Sequence, residues 1–275
     1  MVDWLTILKN CAQNMQTEIL KVYKTTEAGK QFGRGAGGDI KKKIDLVAET
    51  ALIETLNKHK ASCTLISEES GTQKIGVEPA NYFLVADPLD GTTNALRGLP
   101  FIATSLAVSS EPYLKNVEAA LVTDILHNVT YTAQKGEGAY KNRQAIKPSR
   151  TSSLSEAVIG VDFHTFKASE IVNRMIRVFE QTKHLRHLGA NALEICYVAD
   201  GTTDAFIDLR GKLRVTDMAA AQLILKEAGG IITTGEGKPL DAPLTATQRV
   251  SFIAAANKAI YNKIQKLLKE HIRST

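Results

Sequence analysis

Apolar residues over 4–27 recur at close to the helical period. Trp4, Leu5, Leu8, Cys11, Ala12, Met15, Ile19 and Val22 share one face and predict an amphipathic helix that Gly29 ends. Ile44, Val47, Ala48, Ala51, Leu52 and Leu56 form a second such face and predict a helix over 45–59. Between them, Gly33-Arg34-Gly35-Ala36-Gly37-Gly38 reads as loose chain, and 33–43 as a mobile loop. From residue 63 the period shortens. Apolar runs at 63–67, 82–86, 101–109, 117–124 and 129–134 predict strands, and Lys135-Gly136-Glu137-Gly138 a hairpin turn into 139–141. The polar, small-residue stretch 148–155 reads as a connector. Beyond it, strands are expected at 157–162, 204–208 and 252–256, and helices at 169–181, 191–199, 217–227 and 257–272. Gly229-Gly230 closes the third of these helices. No repeat period is present. Two groups of strands flanked by helices predict layered α+β or α/β sheets in two halves, 1–148 and 149–275.

Composition narrows the class. Of 275 residues, 44% are hydrophobic and 23% charged, which suits a packed globular core and excludes disorder or a coiled coil. No apolar run reaches the roughly 18 residues of a membrane span. The start, Met1-Val2-Asp3-Trp4-Leu5, lacks a signal-peptide pattern, so a cytoplasmic protein is expected. The net charge is +5, and its positive groups are scattered except at Lys41-Lys42-Lys43, read as a solvated run. A nucleic-acid partner would call for a denser basic stripe, whereas small anionic metabolites fit. Cys11, Cys63 and Cys196 are far apart and read as small buried hydrophobes. Gly33-x-Gly35-x-x-Gly38 has dinucleotide-binding spacing but follows a helix rather than a strand, which excludes that use. His184 and His187 sit on a predicted strand where their directions diverge, which argues against zinc.

The chemistry concentrates in Asp87-Pro88-Leu89-Asp90-Gly91-Thr92-Thr93-Asn94, at the end of an apolar strand. Two carboxylates three apart face one point if the chain turns between them, and Pro88 favours the turn. Hard oxygen donors suit Mg²⁺ or Mn²⁺. Gly91-Thr92-Thr93 offers successive backbone N–H groups to an anion. A capped strand–turn–helix junction is the other reading of this segment taken alone. Ser67-Glu68-Glu69-Ser70 and Thr216-Asp217 are two further acidic sites at element ends. Together the three clusters have the parts of metal-assisted phosphoryl transfer.

These motifs resemble the inositol monophosphatase family. D-P-L-D-G-T-T-N is similar to its signature D-P-[IL]-D-G-T-T, and Ser67-Glu68-Glu69-Ser70 to its G-E-E-S. Thr216-Asp217-Met218-Ala219-Ala220 with Glu227-Ala228-Gly229-Gly230 resembles its W-D-x-A-A…E-A-G-G. The resemblance implies the five-layer αβαβα sandwich of the sugar phosphatases and a Mg²⁺-dependent, Li⁺-sensitive phosphatase, with two to three ions per site. It implies Asp45, Glu68, Asp87, Asp90 and Asp217 as metal ligands, with the Leu89 carbonyl. Asp45, Glu68 and Thr92 take catalytic roles, Thr92 helping to activate the attacking water and Asp45 supporting Thr92. Asp90, Gly91, Thr92 and Thr93 are implied at the phosphate. The chain departs from the pattern at Asp45-Leu46-Val47-Ala48-Glu49-Thr50-Ala51, where the family has D-L-V-T-x-x-D. It departs again at Thr216, where the family has tryptophan. Lys42-Lys43-Ile44-Asp45 after a glycine-rich stretch looks like archaeal members, which commonly hydrolyse both inositol phosphates and fructose 1,6-bisphosphate.

Specificity is expected from the second half. His187-Leu188-Gly189-Ala190-Asn191-Ala192 resembles a family turn facing substrate hydroxyls, which places Gly189, Ala190, Asn191 and Asp217 at the substrate. Arg186 and Arg210, with Asp208, are expected to meet its anionic or hydroxyl groups. Asn191 as a helix cap and the arginines as surface charges are the other readings. The expected partner is a small sugar or polyol phosphate, in a homodimer or homotetramer. A nucleotide phosphatase acting on 3′-phosphoadenosine 5′-phosphate or NADP is the alternative enzyme, and an RNA-machinery binding protein the alternative of another class.

Overall fold

The computed structural model describes residues 2–77, 79–164 and 168–272. The outer ends of the two expected halves, Met1 and 273–275, lie outside them. The chain opens with α1 (Trp4–Val22), capped by the Asp3 carboxylate, which accepts the Thr6 N–H. A small antiparallel hairpin, β1 (Gln31–Arg34) and β2 (Ile40–Lys42), leads into α2 (Lys43–Lys58). Then come β3 (Cys63–Ser67), β4 (Gly71–Ile75), β5 (Phe83–Asp90), the short α3 (Thr92–Arg97), β6 (Ala103–Ser109), β7 (Val117–Asp124), β8 (Val129–Gln134), β9 (Ala139–Lys141) and β10 (Gln144–Ala145). The rest is β11 (Val158–Val161), α4 (Ser169–Gln181), β12 (His184–Arg186), α5 (Asn191–Ala199), β13 (Ala205–Arg214), α6 (Val215–Ala228), β14 (Ile231–Thr234), β15 (Arg249–Ala255) and α7 (Lys258–Ile272).

Two mixed sheets result. The first has strand order β10-β9-β8-β7-β6-β5-β3-β4, with β3 and β5 parallel and the other pairs antiparallel. The second has order β12-β11-β13-β15-β14, parallel from β12 to β13 and antiparallel beyond. Helices α1 and α2 bury Leu8, Met15, Ile44, Leu52 and Leu56 against one face of the first sheet. Its other face, carrying Val85, Val122 and Tyr131, shares a core with α5, α6 and with Phe206 and Phe252 of the second sheet. Helices α4 and α7 cover the remaining face of the second sheet through Met175, Val178, Ile260 and Ile264. The order is helix, sheet, helix, sheet, helix, the five layers that the motifs imply. Helix α6, in the middle, is buried at every position from Val215 to Leu225, as a helix between two sheets must be, and it carries only Thr216, Asp217 and Gln222 as polar residues in that stretch.

Over 33–43, read as a mobile loop, the chain forms most of the β1–β2 hairpin, its tip docked on the chain after β3. The N–H groups of Ala36 and Gly37 donate to the Glu69 and Glu68 carbonyls at 3.1 and 2.8 Å. The tip packs closely on its neighbours: a Cβ on Gly37 would lie 2.6 Å from Arg214 Nε and displace that side chain, and one on Gly35 would lie 3.0 Å from Glu69 Oε2. The lysine run is also not fully solvated. Lys41, Lys42 and Lys43 are half-buried, and the Lys43 ammonium lies 5.9 Å from the Phe32 ring centre.

Candidate metal and phosphate site

Strand β5 ends in the acidic motif. Its pairing with β6 shifts register between Asp87 and Asp90, so both carboxylates leave the regular pleat at the strand's end. Glu68 follows the neighbouring parallel strand β3. Asp217 lies in the first turn of α6, not at the cap position: the helix begins at Val215, and the Asp217 carboxylate accepts the Arg214 N–H and the Thr216 hydroxyl. Asp45 does the same on α2, accepting the Lys42 N–H at 2.8 Å. Carboxylates in first turns suit the positive end of the helix dipole.

Glu68, Asp87 and Asp217 converge. One carboxylate oxygen of each lies within 4.8 Å of the others. All three pKa values are pushed up, by burial first. For Glu68 the charge of Asp217, and for Asp87 the charges of Glu68 and Asp217, add to this. Three hard oxygen donors in so small a volume are a donor set that a divalent cation satisfies. The neighbouring Glu69 carboxyl has a buried oxygen, Oε2, with no hydrogen-bond partner, and its pKa is raised to about 7, chiefly by burial.

Asp90 stands beside this triad. Both its oxygens accept backbone N–H groups at the start of α5, from Asn191 at 3.1 Å and Ala192 at 2.7 Å. It thus ties the acidic motif to the second half of the chain. The Thr92 hydroxyl lies 2.9 Å from Asp45 Oδ1 and 3.2 Å from the Leu89 carbonyl. Burial raises Asp45 to about 6. Gly91 has φ +91°, and a Cβ there would meet the Phe101 carbonyl at 3.1 Å and both Ala190 Cβ and the Gly189 carbonyl at 3.3 Å. The turn at 187–191 is therefore packed directly on the start of α3, where Thr92 and Thr93 follow.

That turn is held from three sides. Asn94 Nδ2 donates to the Leu188 and Phe101 carbonyls at 2.7 and 2.8 Å. Buried Glu194 accepts the N–H groups of Leu188 and Gly189 at 3.1 and 3.0 Å. Asp90 holds Asn191 and Ala192. The buried Asn191 Oδ1 has no partner, so an acceptor is left over at the turn.

Three expected substrate residues have other partners. Arg210 and Asp208 face each other, with Nε and Nη2 donating to Asp208 at 3.0 and 2.6 Å. Nη2 also meets Asp162 at 2.6 Å, and Nη1 the His164 carbonyl. The Arg210 side chain is 7% exposed and Asp208 fully buried, so their charges compensate internally instead of facing a ligand. Arg186 is exposed on the edge strand β12, its guanidinium on the Leu185 carbonyl; no described contact joins it to the carboxylates. Asn94, Glu194, Asp162 and Arg214 carry site geometry that the motif reading does not assign. Asn94, the last residue of the acidic motif, and Arg214, three residues before Asp217, had a positional signal; Glu194 and Asp162 had none.

The model of the inositol monophosphatase family matches residues 2–273. This chain belongs to the inositol monophosphatase family. It is 38% identical to the fructose-1,6-bisphosphatase/inositol-1-monophosphatase of Methanothermobacter thermautotrophicus, over 97% of this chain and 96% of that protein. It is 32% identical, over 96% of its own length, to the bifunctional NADP phosphatase/NAD kinase of Methanococcus maripaludis, of which it spans 49%. The crystal structure of an inositol monophosphatase–fructose 1,6-bisphosphatase superposes with TM-score 0.85 at 31% identity, covering 97% of this chain and 100% of that one. The family assignment and the layer order agree with the motif reading. No described helix is long and apolar enough to cross a membrane.

Proposed function

We propose that this chain is a divalent-cation-dependent phosphomonoesterase of small sugar or polyol phosphates, inositol 1-phosphate and fructose 1,6-bisphosphate first among them. The observation that carries the reading is the convergence of Glu68, Asp87 and Asp217 next to the Thr92–Asp45 pair. Those three carboxylates would hold the cation, Mg²⁺ by family analogy, with Asp90 and the Leu89 carbonyl as further donors. A cation there supplies Lewis-acid stabilisation of phosphoryl oxygens and of the attacking water. Thr92 donates its only hydroxyl proton to Asp45, which leaves its lone pairs to accept from a water and orient it. The N–H groups of Gly91, Thr92 and Thr93 border the place where phosphate oxygens would lie. The unpartnered Asn191 Oδ1 suits a substrate hydroxyl as donor, which favours a polyol. Attack by water in line with the leaving alkoxide requires no covalent enzyme intermediate.

A second reading, a phosphatase of NADP, is favoured by the similarity to the Methanococcus protein. The test is phosphate release with Mg²⁺ from inositol 1-phosphate, fructose 1,6-bisphosphate, 3′-phosphoadenosine 5′-phosphate and NADP, with Asp87→Asn as control. Turnover of the first two, lost in Asp87→Asn, is the expected outcome. Turnover confined to the nucleotides would move the substrate class, and no cation-dependent release from any of them would sink the enzyme reading.

A further inference from the structure

The tip of the β1–β2 hairpin is strapped to the acidic site by two arginines. Arg249 Nη2 donates to the Gly37 carbonyl at 2.8 Å. Arg214 does more. Its Nη2 pairs with the Asp39 carboxylate at the tip and lies 3.5 Å from the Gly37 carbonyl. Its Nη1 meets Glu68 Oε1 at 2.7 Å and stands 3.9 Å from Asp217 Oδ2. The side chain is 14% exposed, and its Nε is buried with no hydrogen-bond partner. The guanidinium lies against Gly37, where any side chain would collide with it. One planar cation thus has one amino group on the hairpin and the other on a member of the Glu68–Asp87–Asp217 triad.

We propose that Arg214 is a positioning residue that couples docking of the hairpin tip to cation binding at the triad, because it shares Glu68 with the cation. The proposal rests on the reading of the triad as the cation site. Two positive groups on one carboxylate that is only 16% exposed repel each other more strongly than they would in water. The guanidinium therefore weakens cation binding while it holds the hairpin down. Its removal moves the two properties in opposite directions. A merely structural role would weaken both together.

The test uses the full chain, with Mn²⁺ binding followed by calorimetry and tryptic cleavage at exposed Arg34 followed in parallel. In Arg214→Gln, Mn²⁺ is expected to bind more tightly, on the order of tenfold, while cleavage at Arg34 becomes several-fold faster. Arg214→Lys keeps the charge but loses the fork, so its Mn²⁺ affinity should stay near the native value while cleavage still accelerates. This second variant also keeps the test valid if Arg214→Gln does not fold. Unchanged or weaker Mn²⁺ binding in Arg214→Gln, or native cleavage rates in both variants, overturns the coupling. Asp87→Asn separates the two ideas. If it binds Mn²⁺ like the native chain, the cation-site reading itself fails. If it loses Mn²⁺ while Arg214→Gln binds as the native chain does, only the role of Arg214 fails.

Discussion

Thr92 and Asp45 are 47 residues apart in the chain, yet their side chains make one 2.9 Å hydrogen bond that fixes where the threonine lone pairs point. Thr92→Val keeps the shape and removes the hydroxyl. Its kcat is expected to fall about 10²- to 10³-fold with KM nearly unchanged, read from steady-state phosphate release. Glu194 makes a prediction of stability. Burial raises its carboxyl to about 7, with Asp162 adding to the rise, while the N–H groups of Gly189 and Leu188 and the charge of Arg210 oppose it. A folded pKa above the usual carboxylate value means that folding favours the protonated form. This contribution is complete below about pH 4.5 and is lost as pH rises through about 7. Glu194→Gln should therefore melt several degrees higher than the native chain at pH 8.5 and within a degree or so of it at pH 4.5. Equal melting temperatures at both pH values would show that the ionised carboxylate is fully compensated.

At the scale of elements, the start of α3 and the turn before α5 work as one unit, because Asn94 donates to a carbonyl on each side of it. Asn94→Ala leaves two carbonyls without this donor, at a cost of about 1–3 kcal/mol. If the turn contacts substrate, KM should rise more than kcat falls; a fall in kcat alone would place the turn away from the substrate. Legibility also differed by element. Helices α4 and α5 and strands β3, β7, β8 and β9 have the bounds that their patterns predict, because each has apolar positions at the period of its own geometry. Strands β1, β4, β10 and β14 carry no such signal. Every residue of β1 and β10 is exposed, so no buried face imposes alternation on them; β4 alternates in burial, but Gly71 and Gln73 stand at two of its three inner positions, so its apolar pattern is silent. Strand β13 was expected to stop at 208 and continues to Arg214, through the charged Arg210 and the exposed Gly211 and Lys212.

At the scale of the molecule, the carboxylates come from the ends of β3 and β5 and the start of α6, so the site exists only when α6 is packed on the first sheet. A cation that binds only this assembled state stabilises the whole chain by mass action. At a concentration of about 100 times its Kd the gain is about 2.7 kcal/mol. Differential scanning fluorimetry should show a melting temperature higher by roughly 5–10 °C with Mg²⁺, reversed by EDTA. The shift should be absent in Asp87→Asn; an equal shift in that variant would locate the bound ion elsewhere.

Local patterns and motifs were enough for the layered class and for the acidic groups at the ends of β3 and β5 and the start of α6. Those features depend on spacing along the chain: a strand end or a helix start places its neighbours in known directions. They did not disclose which charges face each other. Arg210 looked like a ligand for a substrate anion, but Asp208 on its own strand and Asp162 just after β11 pair with it and compensate its charge. Arg214 stands three residues before Asp217, and the hairpin's return to Glu68 makes it a link between two parts of the site. Pairings of this kind depend on distances of a few ångströms between segments far apart in sequence. Only close packing sets those distances, and with them the charge that each side chain meets.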